Sequence, residues 1–346
     1  MRVLIASSNR GVNGAAMYAR RILLRLRAEG HDAALACEAG SWVGAGLPAE
    51  VPVLTTSFAR WPFDESDRVA AWCRQRGIGL VHSHLTRSGN FAAVLRQRHG
   101  LRSVAHLHAN HPQLHTGFHD LLVAVSDDVA RRHRFLPWNW GTEVVTLPNF
   151  VDAAQFRPAS PEQPDELRAA LGVGAGTPVL VVVGLISARK GHDLAVRAFA
   201  ELRRRRPDAV LAVIGGGALP AGLPMEGVRL LGHREDVARL LPHASVVLVP
   251  SRAEPFGLAA IEAMACGVPV VAFAVGGLAD VIADGAGVAV PPGDVRAMAA
   301  ATEALLADEI LRRAQAEAGR AAAVARHGAE AHVAALAGHY ARVLAQ

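Results

Sequence analysis

Residues 250–270 read PSRAEPFGLAAIEAMACGVPV, and this stretch decides the expected fold. An apolar strand over 246–249 runs into a turn that carries Glu254 and Pro255. A helix of small residues (258–265) then leads directly into another apolar strand. This succession of strand, turn, short helix and strand is typical of a parallel α/β sheet, which binds its ligands at the carboxyl ends of its strands.

Two glutamates in this stretch are candidates for ligand binding. Pro255 restricts Glu254 to an extended conformation and Gly257 is a poor helix former, so Glu254 is expected in the loop and Glu262 in the helix. The alanines of the helix allow close packing, which predicts a partly buried Glu262. A buried carboxylate needs donors, and ligand hydroxyls could supply them. Glu254 as a cap and Glu262 as a helix-packing residue paired with an arginine are the structural alternatives.

The single lysine is a second signal. Of the 36 basic residues only Lys190 is not arginine, and it lies in VLVVVGLISARKGHDLAVRAF, read as a strand over 179–186, a loop and an amphipathic helix. An ammonium at a helix start suits a phosphate. The alternative is a chance survivor of a biased composition. After the first strand, Gly11 and Gly14 in SSNRGVNGAAMYARR could also turn backbone N–H groups toward a phosphate.

The bulk composition narrows the class of protein. A chain of 346 residues with 51% hydrophobic residues predicts two well-buried domains. Without an 18-residue apolar run, a signal peptide or a CxxC pair, a cytoplasmic location is expected. The net charge of +5 is spread along the chain, so no nucleic-acid partner is expected. A basic amphipathic helix (15–28) and the aromatic segment 131–141 leave peripheral contact with the inner membrane face open.

Strands and helices alternate along the whole chain. Strands are predicted near 2–6, 33–37, 80–82, 103–107, 121–125, 144–147, 179–186, 209–214, 228–231, 245–249, 268–272 and 287–290. Helices are predicted near 15–28, 66–76, 88–99, 126–134, 192–206, 234–241, 258–265, 277–283 and 294–307. The pattern predicts an α/β fold of two doubly wound Rossmann-like domains facing across a cleft. Proline-rich FVDAAQFRPASPEQP (150–164) is the linker candidate.

Two histidine groups precede and follow a predicted helix. VHSH contains His82 and His84, and HLHANH contains His106, His108 and His111. Residues two apart on a strand share a face, so His106 and His108 are expected to point the same way. No cysteine or glutamate completes a recognised zinc spacing. Strand-end histidines lining a polar pocket are therefore favoured over a metal site, and neither a metal nor a cofactor is expected.

These residues give the chain a resemblance to a known family. It resembles the retaining GT-B glycosyltransferases of family 4, which include sucrose synthase-like and bacterial polysaccharide and lipid-glycan transferases. The motifs that carry the resemblance span nearly the whole chain: AVSDDV (124–129), LPNFVDAAQF (147–156), the KG turn (190–191), the pair Glu254 and Glu262, GVPVVAFAVGGLADVI (267–282) and VPPGD (290–294).

The resemblance implies domains and site residues. An acceptor-side domain would span 1–155, a nucleotide-sugar domain 156–330, and a terminal helix (331–346) would pack back on the first domain. The implied donor-binding residues are Gly14, Arg189, Gly232, His233, Phe256, Gly257, Leu258 and Glu262. The implied catalytic residues are His108, Lys190 and Glu254, with His106 as the rival of His108. The implied acceptor-side residues are His84, His106 and His111.

The resemblance also implies an activity. Glu262 would bind the ribose, Glu254 the donor sugar, and Lys190 the leaving diphosphate. The implied enzyme is a retaining, metal-independent hexosyltransferase that moves a sugar from a nucleotide sugar, UDP being favoured, to a glycan or lipid-linked acceptor in bacterial-type polysaccharide or glycolipid synthesis. Leu185 stands where the family usually has arginine. This departure favours one alternative, a catalytically impaired binding or scaffold subunit, and a nucleotide-sugar epimerase on the same fold is another. Phosphate-binding features argue against a glycosidase.

Overall fold

The computed structural model describes every residue, Met1–Gln346, in two compact units. The first unit comprises Met1–Asn149 and Glu330–Gln346, and the second comprises Phe150–Ala329. The division therefore falls slightly before residue 155, where the sequence placed it. Val151 and Phe156 are buried in the second unit. The candidate linker thus begins as part of a core, because its apolar side chains need burial.

The first unit contains a seven-stranded parallel sheet. Its strands are β1 (Arg2–Ser7), β2 (Asp32–Cys37), β3 (Val53–Thr55), β4 (Leu80–His84), β5 (Arg102–Leu107), β6 (Leu121–Ala124) and β7 (Glu143–Thr146). The helices of this unit are α1 (Gly14–Ala28), α2 (Asp64–Gln75), α3 (Thr86–His99), α4 (Asp127–Arg134) and the terminal α12 (Ala329–Leu344). Short 3-10 turns lie at Trp42–Gly44, Leu114–Phe118 and Pro137–Asn139.

The second unit contains a six-stranded parallel sheet. Its strands are β8 (Val179–Val183), β9 (Val210–Ile214), β10 (Val228–Gly232), β11 (Val246–Val249), β12 (Val270–Phe273) and β13 (Val288–Val290). Its helices are α5 (Glu166–Leu171), α6 (His192–Arg203), α7 (Val237–Leu240), α8 (Leu258–Ala265), α9 (Gly276–Val281), α10 (Val295–Ala307) and α11 (Glu309–Arg326), with a 3-10 turn at Leu241–His243.

The strand order fixes where ligands are expected. The sheets run β3-β2-β1-β4-β5-β6-β7 and β10-β9-β8-β11-β12-β13. Both are doubly wound, and the order reverses between β1 and β4 in the first unit and between β8 and β11 in the second. Loops leaving two such strands diverge at their carboxyl ends and open a crevice. This topology confirms the predicted fold class, two Rossmann-like α/β domains.

The structure departs from the predicted elements in a few places. Strand β8 ends at Val183 instead of residue 186, because Gly184 takes a φ of +138° and the chain turns away. Strand β3 and helix α5 were not predicted. Both are too short to show a clear hydrophobic period in the sequence. Helices α11 and α12 at the end of the chain are separated where Gly328 pairs with Val151.

The basic helix α1 packs on its own unit. Its apolar residues Ile22, Leu23 and Leu26 are fully buried. The guanidinium of Arg20 donates to backbone carbonyls in and just after the 3-10 turn at Trp42–Gly44. These contacts support a helix with a solvated face packed on the sheet, the structural alternative to a membrane-surface helix. None of the helices combines the length and apolar character needed to cross a bilayer.

Candidate active site

Two loops meet at the crevice of the second sheet. The basic loop (residues 184–191) follows β8, the acidic loop (residues 250–257) follows β11, and the two strands are paired neighbours. The backbone N–H of Arg252 donates to the carbonyl of Arg189 at 2.8 Å. Gly191 has a φ of +69°, and a Cβ atom there would lie 2.0 Å from the carbonyl oxygen of Pro250. Glycine has no Cβ atom, so Gly191 allows the two loops to approach this closely.

An ion pair joins these loops. The ammonium of Lys190 donates to Oε2 of Glu254 at 2.5 Å, and Ser251 Oγ donates to the same oxygen at 3.2 Å. The guanidinium of Arg189 lies 3.8 Å from it and donates to the carbonyl of Ala253 at 3.0 Å. Glu254 is 6% exposed. Two cations therefore stand over one buried carboxylate, and this surplus of positive charge is suited to an anionic ligand.

The acidic loop ends at helix α8. Gly257 caps the helix with a φ of +117°, and a Cβ there would lie 2.7 Å from Cδ1 of Leu278. Phe256 is buried with its ring edge-on to His327, their centroids 5.4 Å apart. Leu258 is the first helical residue. Free backbone N–H groups at such a helix start favour negative charge.

Glu262 lies inside α8, as predicted, and only 5% of it is exposed. Its charge is near Cys266, where burial first and this carboxylate second raise the pKa of the thiol to about 12. The structure thus places Glu254 in the loop and Glu262 in the helix that follows it. Pro255 and Gly257 had predicted this division.

Further residues at this edge were missed from sequence. The run Gly215, Gly216 and Gly217 follows β9 directly, and a Cβ on Gly215 would lie 1.9 Å from the carbonyl oxygen of Gly184. Three glycines after an apolar strand were the available signal. For Ser251, which contacts Glu254, the sequence offers no indication of a site residue other than its position after a strand. The predicted Gly232 ends β10 with a φ of +67°, and His233 next to it is exposed.

Leu185 is the residue at which the resemblance described above implies an arginine. It lies in the basic loop with 62% of its surface exposed. Arg189, expected to supply the second positive charge, is in the same loop with its side chain half exposed. The loop therefore keeps two cations, Arg189 and Lys190, without one at residue 185.

The first unit gathers four predicted histidines on one face of its sheet. This histidine cluster consists of His82 and His84 on β4 and His106 and His108 at the end of β5. The rings of His106 and His108 stack with centroids 4.5 Å apart, as their shared-face prediction requires. Nδ1 of His84 lies 3.0 Å from Nε2 of His108, and Nδ1 of His106 lies 3.2 Å from Nε2 of His82.

The cluster is neutral. The pKa of His82 and of His108 is lowered to about 3, for His108 by burial and for His82 by burial first and the neighbouring imidazoles second. The pKa values of His84 and His106 fall well below their ordinary value for the same reasons, burial being the larger. His82, His84 and His106 are buried, whereas His108 is only partly covered.

Side chains from outside the two strands complete the cluster, and sequence analysis missed them. The hydroxyl of Tyr340 on α12 lies 2.5 Å from Nδ1 of His82. Tyr18 on α1 has its ring 4.4 Å from that of His106, and its hydroxyl lies 2.7 Å from Nε2 of His332. His332 and Tyr340 are more than 200 positions from the histidines of the cluster, and Tyr18 lies on helix α1. No local sequence pattern could therefore connect these side chains with the cluster.

Gly14 and His111 are the other predicted residues of the first unit. Gly14 begins α1 and is exposed, and the preceding Asn13 caps the helix by accepting from the Ala16 N–H at 2.9 Å. Asparagine is one of the residues preferred at this cap position. His111 is exposed and accepts from Gln113 at 3.2 Å. The implied roles of Gly14 and His111 stay predictions.

Family models match both units. The model for Glycosyltransferase Family 4 matches residues 12–155, and the model for Glycosyl transferases group 1 matches residues 163–322. A D-inositol 3-phosphate glycosyltransferase of Xylanimonas cellulosilytica is 31% identical over 336 residues, which cover 86% of this chain and 78% of the relative.

Other relatives match over shorter regions. The chain spans about half the length of several curated relatives it matches. One is a GDP-mannose-dependent monoacylated alpha-(1-6)-phosphatidylinositol monomannoside mannosyltransferase of Corynebacterium glutamicum, 34% identical over 190 residues that cover 51% of this chain and 50% of the relative.

A solved structure shares the fold. Anabaena HepE in complex with UDP-glucose superposes with a TM-score of 0.84 at 20% identity, covering 99% of this chain and 100% of the other. At this identity the likeness concerns the fold alone.

Proposed function

Because the chain belongs to the family 4 glycosyltransferases with the GT-B fold, we propose that it transfers a sugar from a nucleotide-sugar donor. The observation that carries this proposal is the Lys190–Glu254 pair at the crevice of the second sheet. Two cations converge there beside glycine-shaped loops and a helix start, an arrangement suited to a diphosphate. Ligands of doubly wound sheets bind at such a place.

The donor is held by groups of different chemistry. In the proposed complex, Lys190 and Arg189 face the diphosphate, and the N–H groups at the start of α8 face the sugar together with Glu254. Glu262, buried on α8, accepts hydrogen bonds from the ribose hydroxyls. Lys190 exchanges part of its contact with Glu254 for a phosphate oxygen, which frees the carboxylate to accept from the sugar.

The proposed reaction retains the configuration at the anomeric carbon. The bond from that carbon to the diphosphate oxygen breaks as the bond to the acceptor oxygen forms on the same face. The acceptor proton passes to the leaving phosphate. Lys190 and Arg189 stabilise the charge that develops on the diphosphate, so this step needs no metal. No carboxylate nucleophile takes part, and isolation of a covalent glycosyl-enzyme would overturn the mechanism.

The acceptor is proposed to be a glycan or a lipid-linked sugar. His108 is the partly exposed member of the histidine cluster and is proposed to contact the transferred sugar, whereas His84 and His106 are buried behind it. Phe135 and Trp140 are 82% and 96% exposed, next to the basic helix α4. These side chains support a peripheral contact with a lipid surface on the cytoplasmic side.

Nucleotide binding tests the donor proposal. The names of the relatives point to different donors, GDP-mannose in one and UDP-glucose in a structural neighbour. We favour UDP. In a thermal-shift series with UDP, GDP, ADP and their sugars, one nucleotide at 100 times its dissociation constant should stabilise the second unit by about 2.7 kcal/mol. The shift should persist in EDTA. No shift with any nucleotide would refute the donor site.

Leu185 supports a second candidate, a subunit that binds the donor but turns over slowly. Leu185→Arg adds a third cation to the basic loop, and the exposure of this side chain leaves room for it. We expect the dissociation constant of the nucleotide to fall on the order of tenfold, the effect of one charge-assisted hydrogen bond. Leu185→Gln is the uncharged control. A catalytic rate that rises only in the arginine variant would assign the wild type to the impaired class, and equal affinities in both variants would exclude a role for this position.

A further inference from the structure

The histidine cluster has a structural peculiarity that donor binding does not explain. Its strands are paired so that His84 lies directly beside His106, with His82 one pleat away on the same face. Ring centroids of His82 and His84 are 4.4 Å apart, and those of His84 and His106 are 5.4 Å apart. Three imidazoles thus converge in the interior of the first unit, with no carboxylate among them.

Two nitrogens of this cluster lack hydrogen-bond partners. Nε2 of His84 and Nε2 of His106 are buried, and neither is bonded to another group. A buried polar atom left unsatisfied costs about 1–3 kcal/mol. An electron-pair acceptor bound by Nε2 of His84 would remove the cost at that atom.

We propose that His82, His84 and His106 bind one divalent transition-metal ion of the zinc class. One ring nitrogen from each histidine lies within 4.8 Å of those from the other two. Zinc bonds of about 2.0–2.1 Å place neighbouring ligand nitrogens about 3.4 Å apart. Nε2 of His82 and Nδ1 of His106 are already 3.2 Å apart. Small rotations of the His84 ring would bring its ligand nitrogen to a similar distance from the other two.

The surroundings fit a metal ligand set. A ligating histidine generally directs its second nitrogen to an oxygen that fixes its tautomer. Tyr340 provides that oxygen for His82, since its hydroxyl lies 2.5 Å from Nδ1. Nε2 of His82 then keeps its lone pair for the ion.

The donor set also selects the ion. Imidazole nitrogens suit zinc, cobalt, nickel and copper, whereas magnesium and calcium take oxygen ligands. Three histidines leave one position of a tetrahedral zinc for water. The site lies in the first unit and is separate from the proposed diphosphate site, which needs no metal. The expectation from sequence that the chain holds no metal is therefore replaced for this cluster alone.

Cobalt binding tests the site directly. The full chain, stripped with EDTA and dialysed, is titrated with Co²⁺, and its visible d–d absorption is recorded. We expect one equivalent to give the intense bands of tetrahedral Co²⁺ and stoichiometric Zn²⁺ to displace them, with a raised melting temperature. Wild type without such bands, or without a Zn²⁺-dependent change in melting temperature, overturns the proposal.

Variants separate the site from adventitious binding. His84→Ala and His106→Gln should each weaken binding by about a hundredfold or more, and Tyr340→Phe by about tenfold, the usual effect of an outer partner. His119→Ala is the matched control: it removes a buried histidine that bonds to Ser103 and His115 but belongs to another group. Binding that is equal in His84→Ala and His119→Ala would assign the metal to surface histidines.

Discussion

Replacement of Lys190 by alanine is expected to reduce sugar transfer by at least about a hundredfold. The ammonium is the nearest cation to Glu254, 2.5 Å away, and in the proposed complex it meets the charge that develops on the diphosphate. Loss of one preorganised group at a developing charge costs about 2.7–4 kcal/mol in the transition state. The fall should appear mainly in kcat, measured with the nucleotide sugar identified by the thermal-shift series.

Loss of the fold must be separated from loss of catalysis. Without Lys190, the buried carboxylate of Glu254 keeps only the Ser251 hydroxyl and the more distant Arg189. Far-ultraviolet circular dichroism and urea unfolding at the assay temperature should therefore accompany the assay. Arg189→Ala is the matched control, because it removes a neighbouring cation 3.8 Å from the same oxygen and should cause a smaller loss. Transfer near the wild-type rate in folded Lys190→Ala would refute the assignment.

The sequence predicted where Glu254 and Glu262 lie in the second unit because the signals are local. Pro255 and Gly257 keep Glu254 out of the helix that contains Glu262, and each effect acts within a few residues. The lone Lys190 stood out by composition alone. The contact between Lys190 and Glu254 was not foreseen, since it depends on the pairing of β8 with β11. A strand pairing joins residues 64 positions apart, and no local pattern records it.

The histidine cluster, in contrast, depends mainly on contacts between residues that are distant in sequence. Alternation along a strand predicted that His106 and His108 share a face, but it says nothing of which strand lies next to β5. The pairing of β4 with β5 brings His84 to His106, and the terminal helix adds Tyr340. The motif-based argument against a metal compared the sequence with known ligand spacings. Side chains on neighbouring strands have no fixed spacing in sequence, so that argument does not test the site proposed here.

The contact between the two loops of the second unit can be tested through Gly191. A Cβ at this position would lie 2.0 Å from the carbonyl oxygen of Pro250, a backbone atom that cannot rotate away. We expect Gly191→Ala to lower the free energy of unfolding of the second unit by about 3 kcal/mol or more, since a strained φ and a displaced loop add together. Nucleotide affinity should fall with it, because Lys190 is the adjacent residue.

The chain supplies a matched control and a way to assign the effect. Gly172 ends α5 with a φ of +66°, close to the +69° of Gly191, but a Cβ there meets nothing within 4 Å. Gly172→Ala should therefore cost only the left-handed strain, about 1–2 kcal/mol.

All five tryptophans lie in the first unit. Circular dichroism reports on both units and tryptophan fluorescence on the first. A shift of the urea transition in circular dichroism that is larger for Gly191→Ala than for Gly172→Ala would attribute the difference to the approach of the loops. Equal shifts would mean that the acidic loop yields without cost, and the proposed preorganisation of Lys190 against Glu254 would fail with it.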